Sequence, residues 1–295
     1  MEGEARRIYC AEILSPPGFM MACGKVLKCV IAYREAKTSL KMHKKDKIYL
    51  KENVKGKILF DEPLRFHTSM KVGGPAEAWV EPEDANELIR VIKFASKRKI
   101  SLFTIGRGCN IIVSARGIDG ICINLNAPYF KTISYNKEYI RAGAGVFLDR
   151  LLLEAADKGL GGAEFLAGIP GTVGGALFQN AGTKDRGISS LVDKVEAIGR
   201  AGNIKILKQD SIQFGYRYSG LGNHIITSCT LKFKKDEPGV IKSKIKANIK
   251  IKRRLQDYDY PSAGCIFKNP KGARFTAGEL IAVSYTHLRA HETVL

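Results

Sequence analysis

No two of the seven cysteines in this 295-residue chain (Cys10, Cys23, Cys29, Cys109, Cys122, Cys229 and Cys265) form a Cys-x-x-Cys pair. None has zinc-site spacing to the five histidines, so no metal is expected. An odd number of thiols without a pairing framework fits a reducing compartment. The N-terminus lacks an uninterrupted apolar leader, because Lys25 and Lys28 break it. The longest weakly charged stretch, 159–183, is dense in glycine and holds Pro170, which excludes a membrane span there. The expectation is a cytoplasmic protein with no membrane partner. Acidic residues are also scarce: 29 against 48 Lys and Arg, a formal charge of +19.

That charge raises the case for an anionic partner. It is clustered at Lys41–Lys57 and again from Lys232 to Arg254. In the second cluster Ile241, Ile245 and Ile249 recur every four residues, which predicts a helix with one apolar stripe and a solvated basic face. A specific anion site is the alternative. Aromatics are not interleaved with these lysines, so a groove for stacking single-stranded nucleic acid lacks support. A basic nucleic-acid-binding protein remains a competing reading, without a recognisable motif.

Local patterns place elements along the chain, with no internal repeat. Residues 1 to about 50 show no steady period and read as a leader, with order expected from near Ile58. Ala76–Val80 is predicted as a strand. Asp84 is a helix N-cap with Glu87 completing a capping box, and Leu88, Val91, Ile92 and Ala95 share one face. Strands are expected at 101–105, 120–125, within 133–146, and at 191–198, 204–207 and 224–233. A helix is predicted over 147–158, with Gly159 as its stop. Strands and helices mix without a regular βαβ repeat, so the class is α+β.

Two glycine-rich segments stand out. GRGCN (106–110) follows a predicted strand, where backbone N–H groups can form an anion nest. It is not the Rossmann fingerprint, because no third glycine opens a helix. From Gly159 to Gly187 there are nine glycines in 29 residues, a density that is costly unless backbone must approach a ligand closely or turn tightly. Two such loops in one α+β domain suit a dinucleotide laid across two lobes.

HTSMKVGGPAEAWVEP (67–82), GRGCN, EFLAGIPGTVGGALFQNAG (164–182), FGYRYS (214–219) and PSAGCIFKNP (261–270) occur in that order. Together they resemble the UDP-N-acetylenolpyruvoylglucosamine reductases, flavoenzymes of peptidoglycan precursor synthesis, over about residues 50–282. The resemblance implies a two-lobed FAD-binding domain of the vanillyl-alcohol-oxidase (PCMH) type at 58–233. It implies a smaller, incomplete α+β substrate domain at 234–282. NADPH would deliver hydride to FAD, and the reduced flavin would pass it to the enolpyruvyl β-carbon of a UDP-sugar.

By resemblance, Gly106, Gly108, Cys109 and Asn110 hold the FAD pyrophosphate, with Cys109 standing where relatives usually have serine. Gly168, Ile169, Pro170, Gly171, Thr172, Gly174 and Gly175 lie along the flavin. Arg217 matches the active-site arginine, whose fork suits a carboxylate and a developing enolate. Cys265 falls at the proton donor's position. A free thiol, pKa about 8.5, is still protonated at neutral pH, though a basic neighbour such as Lys268 would lower that value. Lys268 and Asn269 match positions that shape the substrate site. A buried, inert Cys265 is the alternative.

The chain departs from the pattern in two places. NAGTKDRG (180–187) stands where NAGAYG is common. No residue matches the catalytic glutamate beyond AGELI: Glu292 falls in the last thirteen residues, 283–295, which do not continue the preceding pattern and read as a non-native tail on a C-terminally truncated chain. FAD binding is therefore expected to survive better than turnover, and a dead FAD-binding fragment is one reading. An FAD oxidoreductase of the same fold with another substrate is a further one, opposed by FGYRYS and GCIFKNP.

Overall fold

The computed structural model describes residues 41–183, 185–255, 259–264, 267–270, 272 and 274–281. Order begins earlier than the sequence suggests, with a helix, α1 (Lys44–Asn53). Its lysine-rich sequence hides the inward face: within α1 only Asp46 and Leu50 are buried, flanked by Met42 and Val54. Asp46 accepts from His43 N at 2.8 Å and pairs with Arg98 Nε at 2.7 Å, so a charge stands where an apolar pattern would be sought.

Strands β1 (Lys57–Pro63) and β2 (Pro75–Glu81) pair antiparallel. Helix α2 (Ala85–Arg98) follows, then β3 (Leu102–Thr104) and β4 (Ile118–Ile123), giving the sheet order β1-β2-β4-β3 with β4 parallel to both its neighbours. The Asp84 carboxylate caps α2 by accepting from Glu87 N at 2.8 Å. The Glu87 side chain does not close the expected box on Asp84 N. It accepts from Glu83 N at 2.7 Å, and from Lys55 N and Gly56 N, tying the end of α1 to the start of α2. Leu88, Val91, Ile92 and Ala95 are all buried, as their period predicts.

The second sheet starts with β5 (Ile133–Asn136) and β6 (Tyr139–Gly143). Helix α3 (Leu148–Asp157) leads to the short β7 (Leu160–Gly161) and then α4 (Val173–Phe178). Strands β8 (Val192–Gly199) and β9 (Ile204–Lys208) precede a two-residue hairpin, β10 (Phe214–Gly215) and β11 (Tyr218–Ser219). Strand β12 (His224–Lys232) completes an antiparallel sheet of order β5-β6-β12-β8-β9. Strand β13 (Lys234–Lys235) pairs with β7 and feeds α5 (Pro238–Leu255). One apolar core joins α2 and the first sheet to α3, α4 and the second sheet, and Ile241 and Ile245 of α5 are buried in it. The expected stripe is therefore packed and the α+β class holds. No helix among the described residues is long and apolar enough to cross a membrane.

Burial alone would raise the Asp46 carboxyl, but the Arg98 ion pair and the His43 N–H outweigh it and hold it below the usual range. A depressed folded pKa stabilises the fold above the unfolded value of about 3.9, and the contribution is lost as pH falls through the folded value. Asp46→Ala should lower unfolding stability at pH 7 by about 2 kcal/mol. In urea titrations the gap from wild type should narrow as pH falls below about 3.9; a gap that does not narrow on acidification would show that the ion pair is not its source.

Candidate functional site

The GRGCN loop leaves β3 and is held on three sides. Asn124 Nδ2 donates to Ile105 O at 2.8 Å and Gly106 O at 3.0 Å. Ser69, from HTSM, donates its N–H to Gly108 O at 3.2 Å and its Oγ–H to Ser262 O at 2.6 Å. Gly108 has φ +66°, and a Cβ there would lie 2.0 Å from His67 O, so no other residue fits. The backbone N–H groups of 106–110 make no hydrogen bond to another described residue. They form a run of donors at a strand end, which suits an anion. The Cys109 thiol donates to Arg107 O at 3.5 Å, and burial raises its pKa despite the Arg107 charge. It is a neutral packed thiol beside the donors.

The second glycine loop meets the first. A Cβ on Gly106 would lie 2.6 Å from Thr172 Oγ1, the same oxygen that caps α4 by accepting from Gly175 N at 3.2 Å. Leu148 N donates to Gly171 O, Val173 N to Val146 O and Gly174 N to Ala144 O, stitching the loop to the second sheet's side. Gly174 is there for packing, since its Cβ would lie 2.9 Å from Ala144 Cβ. Around the Cβ position of Gly171 there is open space, with nothing within 4 Å. Ile169 is half-buried against the core and Pro170 is exposed. The two loops thus meet at Gly106 and Thr172, with a donor run on the first and open space at Gly171 of the second.

Arg217 sits in the turn of the β10–β11 hairpin with φ +56°, and its turn is fastened by residues of the NAG segment. Asn180 Nδ2 donates to Gly215 O at 3.0 Å, while its Oδ1 accepts from Ser189 N at 3.1 Å. Ser219 Oγ donates to Phe178 O at 2.8 Å. Arg217 donates one terminal N–H to Gly182 O at 3.1 Å, and its Nε is buried without a hydrogen-bond partner among the described residues. The departure in this segment folds as a tight turn, with Thr183 N donating to Arg186 O at 2.9 Å; Lys184 lies outside the described residues. The Arg186 guanidinium rests 4.5 Å from the centre of the Phe165 ring.

A second cation approaches from α5: Lys252 Nζ donates to Ala167 O at 2.6 Å. Burial and the charge of Arg217 together lower its pKa to about 8. Neither Lys252 nor Arg217 has a carboxylate partner among the described residues. The field between them therefore favours an anionic ligand.

Pro261–Gly264 returns to the first loop, where the Cβ position of Gly264 is 4.0 Å from Cys109 O. Cys265 itself, like Glu292 and the whole of 283–295, lies outside the described residues. Lys268 is half-buried. Asn269 Oδ1 accepts from Ala277 N at 3.1 Å, so one end of its amide is structural. Sequence reasoning singled out both glycine loops and Arg217. It missed Ser69, Asn124, Asn180 and Lys252. Asn124 and Asn180 carried a faint signal, polar amides closing apolar runs; Lys252 carried none among so many lysines.

Residues 76–208 match the FAD binding domain family. The chain is 37% identical to the UDP-N-acetylenolpyruvoylglucosamine reductase of Moorella thermoacetica over 79% of its own length and 76% of that protein. The corresponding values for the Bacillus subtilis reductase are 34%, 75% and 74%. The crystal structure of the Thermus caldophilus reductase superposes with a TM-score of 0.66 at 32% identity, covering 78% of this chain and 80% of that one. These loops fit an FAD: the N–H groups of 106–110 have no partner among the described residues, and the Cβ position of Gly171 faces open space.

Gly108→Ala should push the 106–110 loop off His67, at a cost of about 1–3 kcal/mol in stability. It should also lower FAD retention. Urea unfolding and the visible absorbance of purified protein test both. An alanine variant that stays yellow and stable would show that the contact is not obligatory.

Proposed function

The chain belongs to the UDP-N-acetylenolpyruvoylglucosamine reductase family, and from that premise we propose that it reduces UDP-N-acetylglucosamine enolpyruvate to UDP-N-acetylmuramate with NADPH in the cytoplasm. FAD, when bound, carries hydride from NADPH to the β-carbon of the enolpyruvyl group. In this reading Gly106, Gly108, Cys109 and Asn110 present backbone donors to the pyrophosphate. Gly168, Ile169, Pro170, Gly171, Thr172, Gly174 and Gly175 form the wall along which the flavin lies. The domain proposal keeps 58–233 for FAD and 234–282 for substrate.

The observation that carries the reading is the orphaned Arg217 Nε. A buried guanidinium donor without a partner calls for an acceptor from a ligand. Gly182 O takes one terminal N–H, and in this reading the rest of the guanidinium clamps the substrate carboxylate and stabilises the enolate as charge develops there. Cys265 directly follows Gly264, whose neighbour is the cofactor loop, and is the proposed proton donor to the α-carbon. A thiol is mostly protonated at neutral pH and can give that proton. Lys268 and the Asn269 side chain serve the UDP-sugar in this reading.

The whole chain, purified, should be yellow and should bleach with NADPH in the absence of oxygen. Cys265→Ala should leave that bleaching intact and slow recovery of the colour by the enolpyruvyl substrate. Equal loss of both half-reactions would remove the proton-donor role. Arg217→Lys should slow the second half-reaction about 100-fold with FAD retained. A stopped-flow trace at wild-type speed would show that the guanidinium fork is dispensable.

A further inference from the structure

Helix α5 does more than cover the core, because two of its side chains grip the turn that opens the flavin wall. Asn248 Nδ2 donates to Glu164 O at 2.9 Å, and one turn later Lys252 Nζ donates to Ala167 O at 2.6 Å. The Lys252 stem also fills the space beside Gly168, where a Cβ would lie 3.1 Å from its Cδ, and Gly168 itself needs its φ of +74°. The residue is half-buried, and this is not the disposition of a surface lysine, which leaves its ammonium in water.

Among the described residues no carboxylate pairs with Lys252. Arg217 acts on it from the β10–β11 turn. Lys246, Lys250, Arg253 and Arg254 of its own helix line, with Ile249, a separate cavity of about 390 Å³. The nearest carboxylate on the turn it grips, Glu164, accepts instead from Gly162 N at 2.9 Å.

We propose that Lys252 is a positioning residue for the cofactor: its ammonium, clamped on the Ala167 carbonyl, holds the loop from Ala167 to Thr172 in its flavin-receiving shape and adds a positive field that favours the reduced cofactor. This rests on the reading that FAD lies along that loop. The reduced cofactor is more electron-rich than the oxidised form, and a nearby cation stabilises added negative charge. Lys252 carries no substrate contact in this account; it acts through the loop and through its charge. Because burial and Arg217 bring its pKa to about 8, the field is present at pH 7 and fades as pH rises.

The test uses the whole chain loaded with FAD, with three readouts: FAD affinity by quenching of flavin fluorescence, midpoint potential by dye equilibration, and melting temperature. Lys252→Met should raise the FAD Kd about tenfold. It should lower the midpoint potential at pH 7 and erase an extra downward slope of wild-type potential with pH that begins near 8. Lys252→Arg should restore affinity and potential while the inflection near 8 stays absent, since guanidinium does not titrate there. Unchanged affinity, potential and slope in Lys252→Met would overturn the proposal and leave the flavoenzyme reading standing. If Lys252→Met does not fold, an inflection that persists in Lys252→Arg overturns it equally. Wild type that binds no FAD would overturn both.

Discussion

Backbone is packed against backbone where the two glycine loops are built, and the rest of the site depends on that contact. At Gly108 a carbonyl occupies the place of a side chain, and at Gly106 the Thr172 hydroxyl does. A Cβ at Gly108 would push the 106–110 loop off His67, and one at Gly106 would push it off Thr172. Where the loops touch, the N–H groups of 106–110 have no partner among the described residues. Anion recognition by main chain makes little demand on side-chain chemistry, so a cysteine at position 109 is compatible with the proposed pyrophosphate role of the loop.

Side chains then serve chiefly to hold carbonyls in place. Asn124 takes the oxygens of Ile105 and Gly106, Asn180 that of Gly215, Ser219 that of Phe178, Asn248 that of Glu164 and Lys252 that of Ala167. Each bond ties a loop to an element distant in sequence. Together they explain why NAG and FGYRYS occur as a pair: the first segment is the mould for the turn that carries Arg217. At this site the basic balance of the chain shows in Arg217 and Lys252, which lack a carboxylate partner among the described residues.

The structure also sorts the glycines by task. Gly108 and Gly168 sit at positive φ against close neighbours, Gly174 makes room for Ala144, and Gly171 faces open space. Sequence density treats them alike, because a missing side chain looks the same whether it admits a ligand, a turn or another strand. Helix α1 was illegible for the opposite reason. Its inward face includes a charge, Asp46, whose partner Arg98 lies 52 residues away.

What the sequence alone determined is the set of elements with a strong local period: α2, α3, β12 and the apolar stripe of α5. It also singled out GRGCN, GIPGT and FGYRYS as the candidate site, since an order of five motifs is a one-dimensional property. Only the tertiary structure decided that Thr172 meets Gly106, that Asn180 fastens the Arg217 turn, and that one lysine among many leaves the solvated face of α5 for Ala167 O. Periodicity is set within a few residues by helix and strand geometry. Which carbonyl a distant side chain reaches is set by how sheets and helices pack, and no local pattern encodes it.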